Sequence, residues 1–319
     1  MTETIPVVDL TDFSNPARKA EFVRILGEGL EKYGFVAVTG HGIPVDLLEQ
    51  AYGAAREAFA LPLDVKCRYE FPTRGRQRGY TSFGVEHAKD QPVPDLKEFW
   101  HIGRKLPPGH PLRESGEVPK NHPPVEVPAF RPTFDQLFLQ MEDFANRLLV
   151  AVAEYLGQDP DYFRNMVKDG NSVLRVIHYP DIGAEVPVGA VRAAAHEDIN
   201  LLTVLPVSTR PGLELLRRDG TWMPVHTPPD VMVCDTGDMM ARITGGRLPS
   251  TTHRVVNPGG SDGGRYSMPF FLHPHPDHVL TPLFGTDEAP VTTRDFLNER
   301  LRAIGLGNFE AVPEETSSE

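Results

Sequence analysis

The amino-acid sequence of this 319-residue chain predicts a mixed α+β protein, mainly β, whose core is a jelly roll of two antiparallel sheets with flanking helices packed outside. Three features carry that reading. The second half is a series of short β-type runs, at 172–179, 201–206, 213–216, 231–234, 253–256 and 266–272, separated by Gly, Pro and Asp. Asp219-Gly220, set between Leu213-Glu214-Leu215-Leu216 and Trp222-Met223-Pro224-Val225, is a hairpin signal. Helical spacing of apolar residues occurs elsewhere, before residue 157.

In chain order, Ile5-Pro6-Val7-Val8-Asp9-Leu10 alternates apolar residues and reads as a short first strand. Asn15-Pro16 then offers a helix cap with Pro in the first turn, and Phe22, Ile25, Leu26 and Leu30 follow at helical spacing up to Gly34. Residues 35–39 are β-rich, and 45–60 return to a helical pattern closed by Leu61-Pro62. Residues 70–127 are rich in Pro, Gly and charge and read as loop. Their basic run, Arg74-Gly75-Arg76-Gln77-Arg78, lacks interleaved aromatics and is taken as solvated. From 130 to 157, Phe134, Leu137, Met141, Phe144, Leu148 and Val152 recur every three or four residues, the pattern of a long helix across the back of a sheet, with Gly157 as its terminator. The polar tail, 312–319, is expected to fray.

Composition narrows the function classes. Hydrophobic residues make up 40% and charged residues 24%, as in an ordinary globular protein. A formal net charge of -12 speaks against nucleic acid and anionic membrane as partners, since both require clustered positive charge. No apolar run reaches membrane-spanning length, and Met1-Thr2-Glu3-Thr4-Ile5 lacks the features of a signal peptide, so a cytoplasmic location is expected. Cys67 and Cys234 are far apart, which argues against a disulfide framework or a thiolate zinc site; both read as buried thiols.

The chemistry concentrates between Ala195 and Ser267. In His196-Glu197-Asp198 two metal-binding residues stand at i and i+2, which on a strand places both on one side. His253 must reach them from another strand. Two imidazoles and a carboxylate bind one face of a divalent metal and leave the other open, the arrangement of non-haem Fe(II) oxygenases. Singly, each residue is as well explained by a hydrogen-bonded core or surface position. Downstream, Arg265-Tyr266-Ser267 puts a guanidinium and a hydroxyl on one face, a fork for a carboxylate or else a solvated strand edge. Arg192, Arg242 and Arg78 could each clamp an acidic group of a substrate, although a surface charge is the simpler reading. Glu197, at the alternate strand position, points away from the metal and is free to orient a neighbour. His41 reads as a structural histidine in a turn, His178 as facing away from Tyr179, and His273, His275 and His278 as a strand exit rather than a second metal site.

The order His196-x-Asp198, His253, Arg265-x-Ser267 resembles the iron- and 2-oxoglutarate-dependent dioxygenase superfamily, in particular the branch that includes isopenicillin N synthase and the plant flavonoid, gibberellin and ethylene-forming oxygenases. The segments Asp235-Thr236-Gly237-Asp238-Met239-Met240, Ser250-Thr251-Thr252-His253-Arg254-Val255 and Gly34-Phe35-Val36-Ala37-Val38-Thr39-Gly40-His41-Gly42-Ile43-Pro44 resemble it too. The family often has Thr where Glu197 stands.

The resemblance implies a double-stranded β-helix, His196, Asp198 and His253 as ligands of Fe(II), and 2-oxoglutarate and O2 as co-substrates. It further implies that Arg265, Ser267 and Tyr179 bind the distal carboxylate of 2-oxoglutarate. The segments Arg78-Gly79-Tyr80 and Lys97-Glu98-Phe99-Trp100-His101 resemble ones bordering the family's substrate cavity, which makes Arg78, Tyr80, Phe99 and His101, with Arg192, the candidate substrate contacts. An N-terminal region (1–127), a catalytic core with its backing helix (128–285) and a C-terminal helix and tail (286–319) are expected to form one compact unit. The implied reaction oxidises a C–H bond of a small organic metabolite, by hydroxylation, desaturation or ring formation, and releases succinate and CO2, with no catalytic side chain beyond the metal centre. Two alternatives remain at this stage: an oxidase or cyclase like isopenicillin N synthase that uses iron without 2-oxoglutarate, and a non-catalytic jelly-roll binding protein.

Overall fold

A computed structural model of the chain describes residues 4–72, 76–86, 94–181, 191–228, 230–256, 264–285 and 288–303. In order the elements are β1 (Val7–Asp9), α1 (Lys19–Tyr33), β2 (Phe35–Thr39), α2 (Val45–Phe59), α3 (Leu63–Lys66), β3 (Gly79–Thr81), β4 (Glu98–Gly103), α4 (Pro111–Glu114), α5 (Phe130–Tyr155), α6 (Tyr162–Val167), β5 (Val173–Tyr179), β6 (Ala193–His196), β7 (Leu202–Pro206), β8 (Leu213–Leu216), β9 (Trp222–Pro224), β10 (Met232–Thr236), α7 (Asp238–Ile243), β11 (His253–Val255), β12 (Arg265–Ser267), β13 (Phe270–Leu272) and α8 (Thr293–Ala303). The expected turn at 257–260, Arg74 and Gly75 of the basic run, and the tail at 312–319 lie outside the described residues.

The strands form two sheets. The larger runs β1-β2-β10-β7-β13-β5-β4-β3, with β12 also paired to β5, and the smaller runs β6-β11-β8-β9. All described pairings are antiparallel except β1 with β2. The period-two alternation of the large sheet decides what each face meets. Val36 and Val38 of β2, Trp100 and Ile102 of β4, Leu174 and Val176 of β5 and Phe270 of β13 pack outward against the helices. The intervening Phe35 and Ala37 pack with Leu215 and Met223 of the small sheet, and Phe99, Ile177 and Tyr179 with Ala193 and Val255.

Helix α5 crosses the outer face as its spacing predicts. Phe138 meets Phe270 edge-on at 5.0 Å, and Phe130 lies 5.5 Å from Trp100. Each such side chain withdrawn from water is worth about 1.5–3 kcal/mol. Pro132 is tolerated because it stands in the first turn, where amides have no intrahelical acceptor. Gly34 ends α1 with φ 67°, its N–H donating to the Leu30 carbonyl at 2.8 Å. The chain therefore turns directly from α1 into β2.

Four expectations change. Helix α1 starts at Lys19, because Asn15 engages the Ala17 amide with its side chain and those of Arg18 and Lys19 with its carbonyl, after a 3₁₀ turn at Leu10–Ser14. The stretch read as solvated loop contains β3 and β4, and every residue of β4 is buried. The single strand expected at 266–272 is two, because the chain breaks at Met268-Pro269; the Pro269 carbonyl still accepts from Arg175 N–H at 2.9 Å. Cys67 is exposed rather than buried, while Cys234 is buried and burial pushes its thiol well up. No helix among the described residues is long and apolar enough to cross a membrane.

At the junction of β10 and α7 the backbone passes against the segment that carries Asp198. The amides of Asp238 and Met239 donate to the carbonyls of Asp198 (2.7 Å) and Asn200 (3.1 Å). A Cβ on Gly237 would lie 2.3 Å from the Asn200 carbonyl oxygen and 2.7 Å from that of Asp198. Gly237→Ala is expected to lower stability by about 1–3 kcal/mol, measured as a fall in the urea unfolding midpoint; an unchanged midpoint would count against this close approach.

Candidate metal centre

Strands β6 and β11 pair so that His196 and His253 are directly opposed, with ring centroids 4.4 Å apart. Strand β6 ends at His196, and Asp198 reaches the site from the irregular segment that follows rather than from the strand itself. Its Oδ1 lies 3.9 Å from His196 Nε2 and 3.8 Å from His253 Nε2. One ligand atom from each of the three residues falls within 4.8 Å of the others, the one such group of His, Cys, Asp or Glu among the described residues.

Each imidazole is oriented from behind. His196 Nδ1 is 2.7 Å from the Ala194 carbonyl and His253 Nδ1 is 3.1 Å from that of Thr251. A carbonyl only accepts, so both Nδ1 atoms carry a proton, and both Nε2 atoms lie close to Asp198 Oδ1, at 3.9 and 3.8 Å. Burial first, and then the neighbouring His253, lowers the His196 pKa to about 4, which keeps the ring in its neutral, metal-binding form. Asp198 accepts from the Thr203 hydroxyl through Oδ2. Asp235, the cross-strand partner of Thr203, stands behind it, and burial together with the Asp198 charge pushes its carboxyl well above the usual range. Two imidazoles and one carboxylate on a common point suit Fe(II). Glu197 turns aside and accepts from Thr252 Oγ1 at 2.8 Å, next to His253.

A second polar group stands where β12 pairs with β5. In the pairing of β12 with β5, Arg265 stands opposite Tyr179 and Ser267 opposite Ile177. Arg265 is only 2% exposed. Its Nε donates to the Arg210 carbonyl (3.0 Å) and its Nη2 to Ser208 Oγ (2.7 Å), which lies 3.1 Å from Ser267 Oγ. The guanidinium sits 5.0 Å from the Tyr179 ring centroid. Its Nη1 is buried without a partner, and among the described residues no carboxylate pairs with it. Leaving a buried cation uncompensated costs several kcal/mol, so the arrangement fits an anion arriving from outside the chain.

The cavity beside the metal ligands holds about 430 Å³, with His196 and Asp198 in its wall. Of the five candidate substrate contacts, Phe99 and His101 line it, whereas Arg78, Tyr80 and Arg192 do not. Arg78 is buried, not a surface charge: its guanidinium covers Gly103, where a Cβ would lie 2.0 Å from Cζ, and donates to Asn171 Oδ1 at 2.6 Å. Tyr80 is a core residue packed on Trp100 and donating to Glu98. Arg192, also buried rather than on the surface, contributes to holding the Arg265 pKa down, after burial. His178 faces the other way, 2.7 Å from Glu98 and stacked on Tyr266, and His41 accepts from the Ile43 amide at 3.0 Å.

Sequence reasoning missed Thr203, Asp235 and Ser208, whose roles come only from cross-strand register. It also missed Asp95, whose Oδ1 accepts from Ala194 N–H at 3.0 Å. That bond ties the residue whose carbonyl orients His196 to a carboxylate on the cavity wall. The only sequence signal for it was the density of charge at 95–98.

Comparison with known proteins identifies the family. Residues 5–125 match the family described as non-haem dioxygenase in morphine synthesis N-terminal, and residues 170–274 match the 2OG-Fe(II) oxygenase superfamily. The chain is 30% identical to a 2-oxoglutarate-Fe(II) type oxidoreductase, hxnY, of Emericella nidulans, over 97% of this chain and 93% of the relative. Among solved structures it resembles a 2OG-Fe(II) oxygenase family protein from Caulobacter crescentus (39% identity, TM-score 0.85, 95% of this chain and 100% of the other). It also resembles a full-length Neurospora crassa protein solved in complex with alpha-KG and thymine (27% identity, TM-score 0.82, 94% and 96%). The chain belongs to the 2OG-Fe(II) oxygenase superfamily, as an Fe(II)/2-oxoglutarate-dependent dioxygenase.

Proposed function

We propose that His196, Asp198 and His253 hold the iron of this dioxygenase, and that Arg265, Ser267 and Tyr179 seat the far carboxylate of 2-oxoglutarate. The observation that carries the reading is the pairing of two half-finished sites. Three metal-ligand atoms lie within 4.8 Å, and beside Tyr179, which packs against Ala193 and Val255 of the strands carrying the two histidines, a buried guanidinium has one nitrogen without an acceptor. Bound iron, 2-oxoglutarate and dioxygen supply the oxidation itself, converting 2-oxoglutarate to succinate and CO2 while a C–H bond of the substrate is oxidised.

The protein's share is placement. Ala194 and Thr251 fix the two imidazoles, and Thr203 fixes the carboxylate. Ser208 holds the Arg265 fork and the Ser267 hydroxyl at one spacing. Along the inner face of β5, Tyr179 beside Arg265 and Arg175 are four residues apart, about 13 Å at the usual strand rise, with Ile177 between them. The oxo-acid fills the Tyr179 end and the substrate the Arg175 end. The substrate is a small organic molecule, and the enzyme is cytoplasmic, in keeping with two cysteines that are both free thiols. Regions 1–127, 128–285 and 286–319 act as one unit, since strands from the first two share the large sheet and α8 of the third helps line the cavity.

Asp198→Ala is expected to lower Fe(II)-dependent succinate formation from 2-oxoglutarate by about 100-fold or more, measured without added substrate; wild-type turnover in that variant would remove Asp198 from the ligand set. Arg265→Met, which deletes a charge-assisted contact worth about 1.5–3 kcal/mol, should raise KM for 2-oxoglutarate about 10- to 100-fold with less change in kcat. An unchanged KM would place the oxo-acid elsewhere.

A further inference from the structure

Arg175 projects into the cavity between two aromatic rings, its Cζ 4.3 Å from the Phe99 centroid and 5.4 Å from that of Phe271. Two of its three nitrogens are engaged. Nη1 donates to both oxygens of Glu86 (3.2 and 3.0 Å), and Nε donates to His101 Nε2 at 2.7 Å. Because His101 Nε2 accepts there, its proton is on Nδ1, which faces the Arg76 carbonyl at 3.1 Å. Among the described residues Nη2 meets no acceptor, although the side chain is 18% exposed and its other nitrogens are covered.

The charge around that free donor is closed. Lys97 Nζ lies 2.8 Å from both Glu86 and Asp95, so the two carboxylates and the two cations cancel. Burial works against the charge on Glu86, and Arg175 and then Lys97 outweigh it, leaving its pKa lowered; burial likewise opposes Lys97, and Glu86 and then Asp95 leave it raised. Burial and then Arg175 push His101 well below its usual range, so it stays neutral. The other cations of the wall are also matched, Arg76 to Glu70 at 2.9 Å and Arg300 to Asp238 at 3.3 Å. Arg78, without a carboxylate, stays behind the wall: its Nη atoms are bonded to Gln77 O and Asn171, and its remaining Nε lies over Gly103. This separates Arg175 from Arg265, whose guanidinium meets no carboxylate among the described residues. An acceptor reaching Nη2 meets a directed hydrogen bond but no net positive charge. An anion would lose its hydration there without gaining a cation in return.

We propose that Arg175 anchors the substrate, its Nη2 donating to the carbonyl oxygen of an uncharged, planar amide- or imide-type molecule flanked by Phe99 and Phe271. The proposal rests on the Fe(II)/2-oxoglutarate reading of the neighbouring centre and adds the class of molecule that centre oxidises. Fork and rings together favour a flat acceptor group, because the donor lies in the guanidinium plane and two aromatic rings stand 4.3 and 5.4 Å from its Cζ.

Full-length protein, loaded anaerobically with Fe(II) and 2-oxoglutarate, is titrated calorimetrically with matched neutral and anionic probes: benzamide against benzoate, and phthalimide against phthalamate. The neutral member of each pair is expected to bind about tenfold tighter or more. Arg175→Met, in which Glu86 keeps Lys97 as its partner, is expected to lose that binding about tenfold while 2-oxoglutarate binds as in the unaltered protein. Tighter binding of the anions, no binding of either neutral probe, or neutral-probe affinity unchanged in Arg175→Met would each overturn the proposal. So would loss of 2-oxoglutarate binding in the variant, which would assign Arg175 to the oxo-acid pocket or the fold. The comparison within the unaltered protein decides the neutral-over-anion preference even if the variant does not fold. Failure of the unaltered protein to bind 2-oxoglutarate would be a separate result that removes the underlying reading and this one with it.

Discussion

The register between β6 and β11 is the constraint on which the rest of the site depends. Both strands are short, and the functional geometry requires His253 opposite His196. A slip of one residue would turn His253 to the other face and bring Arg254 in, since side chains alternate along a strand. What holds the register is packing on both sides of the pair. Ala193 and Val255 join Phe99, Ile177 and Tyr179 of the large sheet, and Phe35 sets its ring edge-on to His253 at 5.5 Å. On the far edge β8 pairs with β11, and Arg254 is drawn outward by Glu214 at 2.8 Å and by the Trp222 ring at 3.9 Å. The metal ligands are positioned by apolar contacts, the Phe35 ring against His253 among them, and by one outward ion pair.

Buried cations are held in different ways. Where a cation has a carboxylate beside it, as Lys97 and Arg175 do, its charge is cancelled locally. Arg265 has none among the described residues, and there the fold carries an energetic deficit that an incoming anion removes. The contrast separates an anion-seeking group at the pairing of β12 with β5 from an electrically closed one on the cavity wall.

Much of the fold was legible because it rests on periodicity. The spacing of Phe134, Leu137, Met141 and Phe144 defines α5, Gly34 marks the end of α1, and Asp219-Gly220 closes the β8–β9 hairpin with Gly220 at φ 83°. The three metal-ligand candidates were legible from residue type and order. Strand β4 was not, because Glu98 and His101 occupy interior positions that a hydrophobic pattern leaves blank, and their partners Lys66, His178 and Arg175 are remote in sequence. The break at Pro269 was hidden inside an apolar run. The burial of Arg78 and Arg192 was unreadable for a related reason: a charged side chain signals surface until the fold supplies a cover such as the bare α-carbon of Gly103.

The hydrogen bond from Ala194 N–H to Asp95 has a consequence for anyone wishing to retarget the enzyme. Ala194 presents its amide to the cavity wall and its carbonyl to His196, so one residue's backbone serves two masters. Variation at Glu86 or Lys97, the natural places to broaden substrate choice, reaches Asp95 through their shared ammonium and from there the backbone behind His196. Libraries that randomise this wall will therefore trade selectivity against iron retention unless Asp95 is left fixed, whereas Val173 on the same surface, apolar and outside that chain of contacts, is the freer position for redesign.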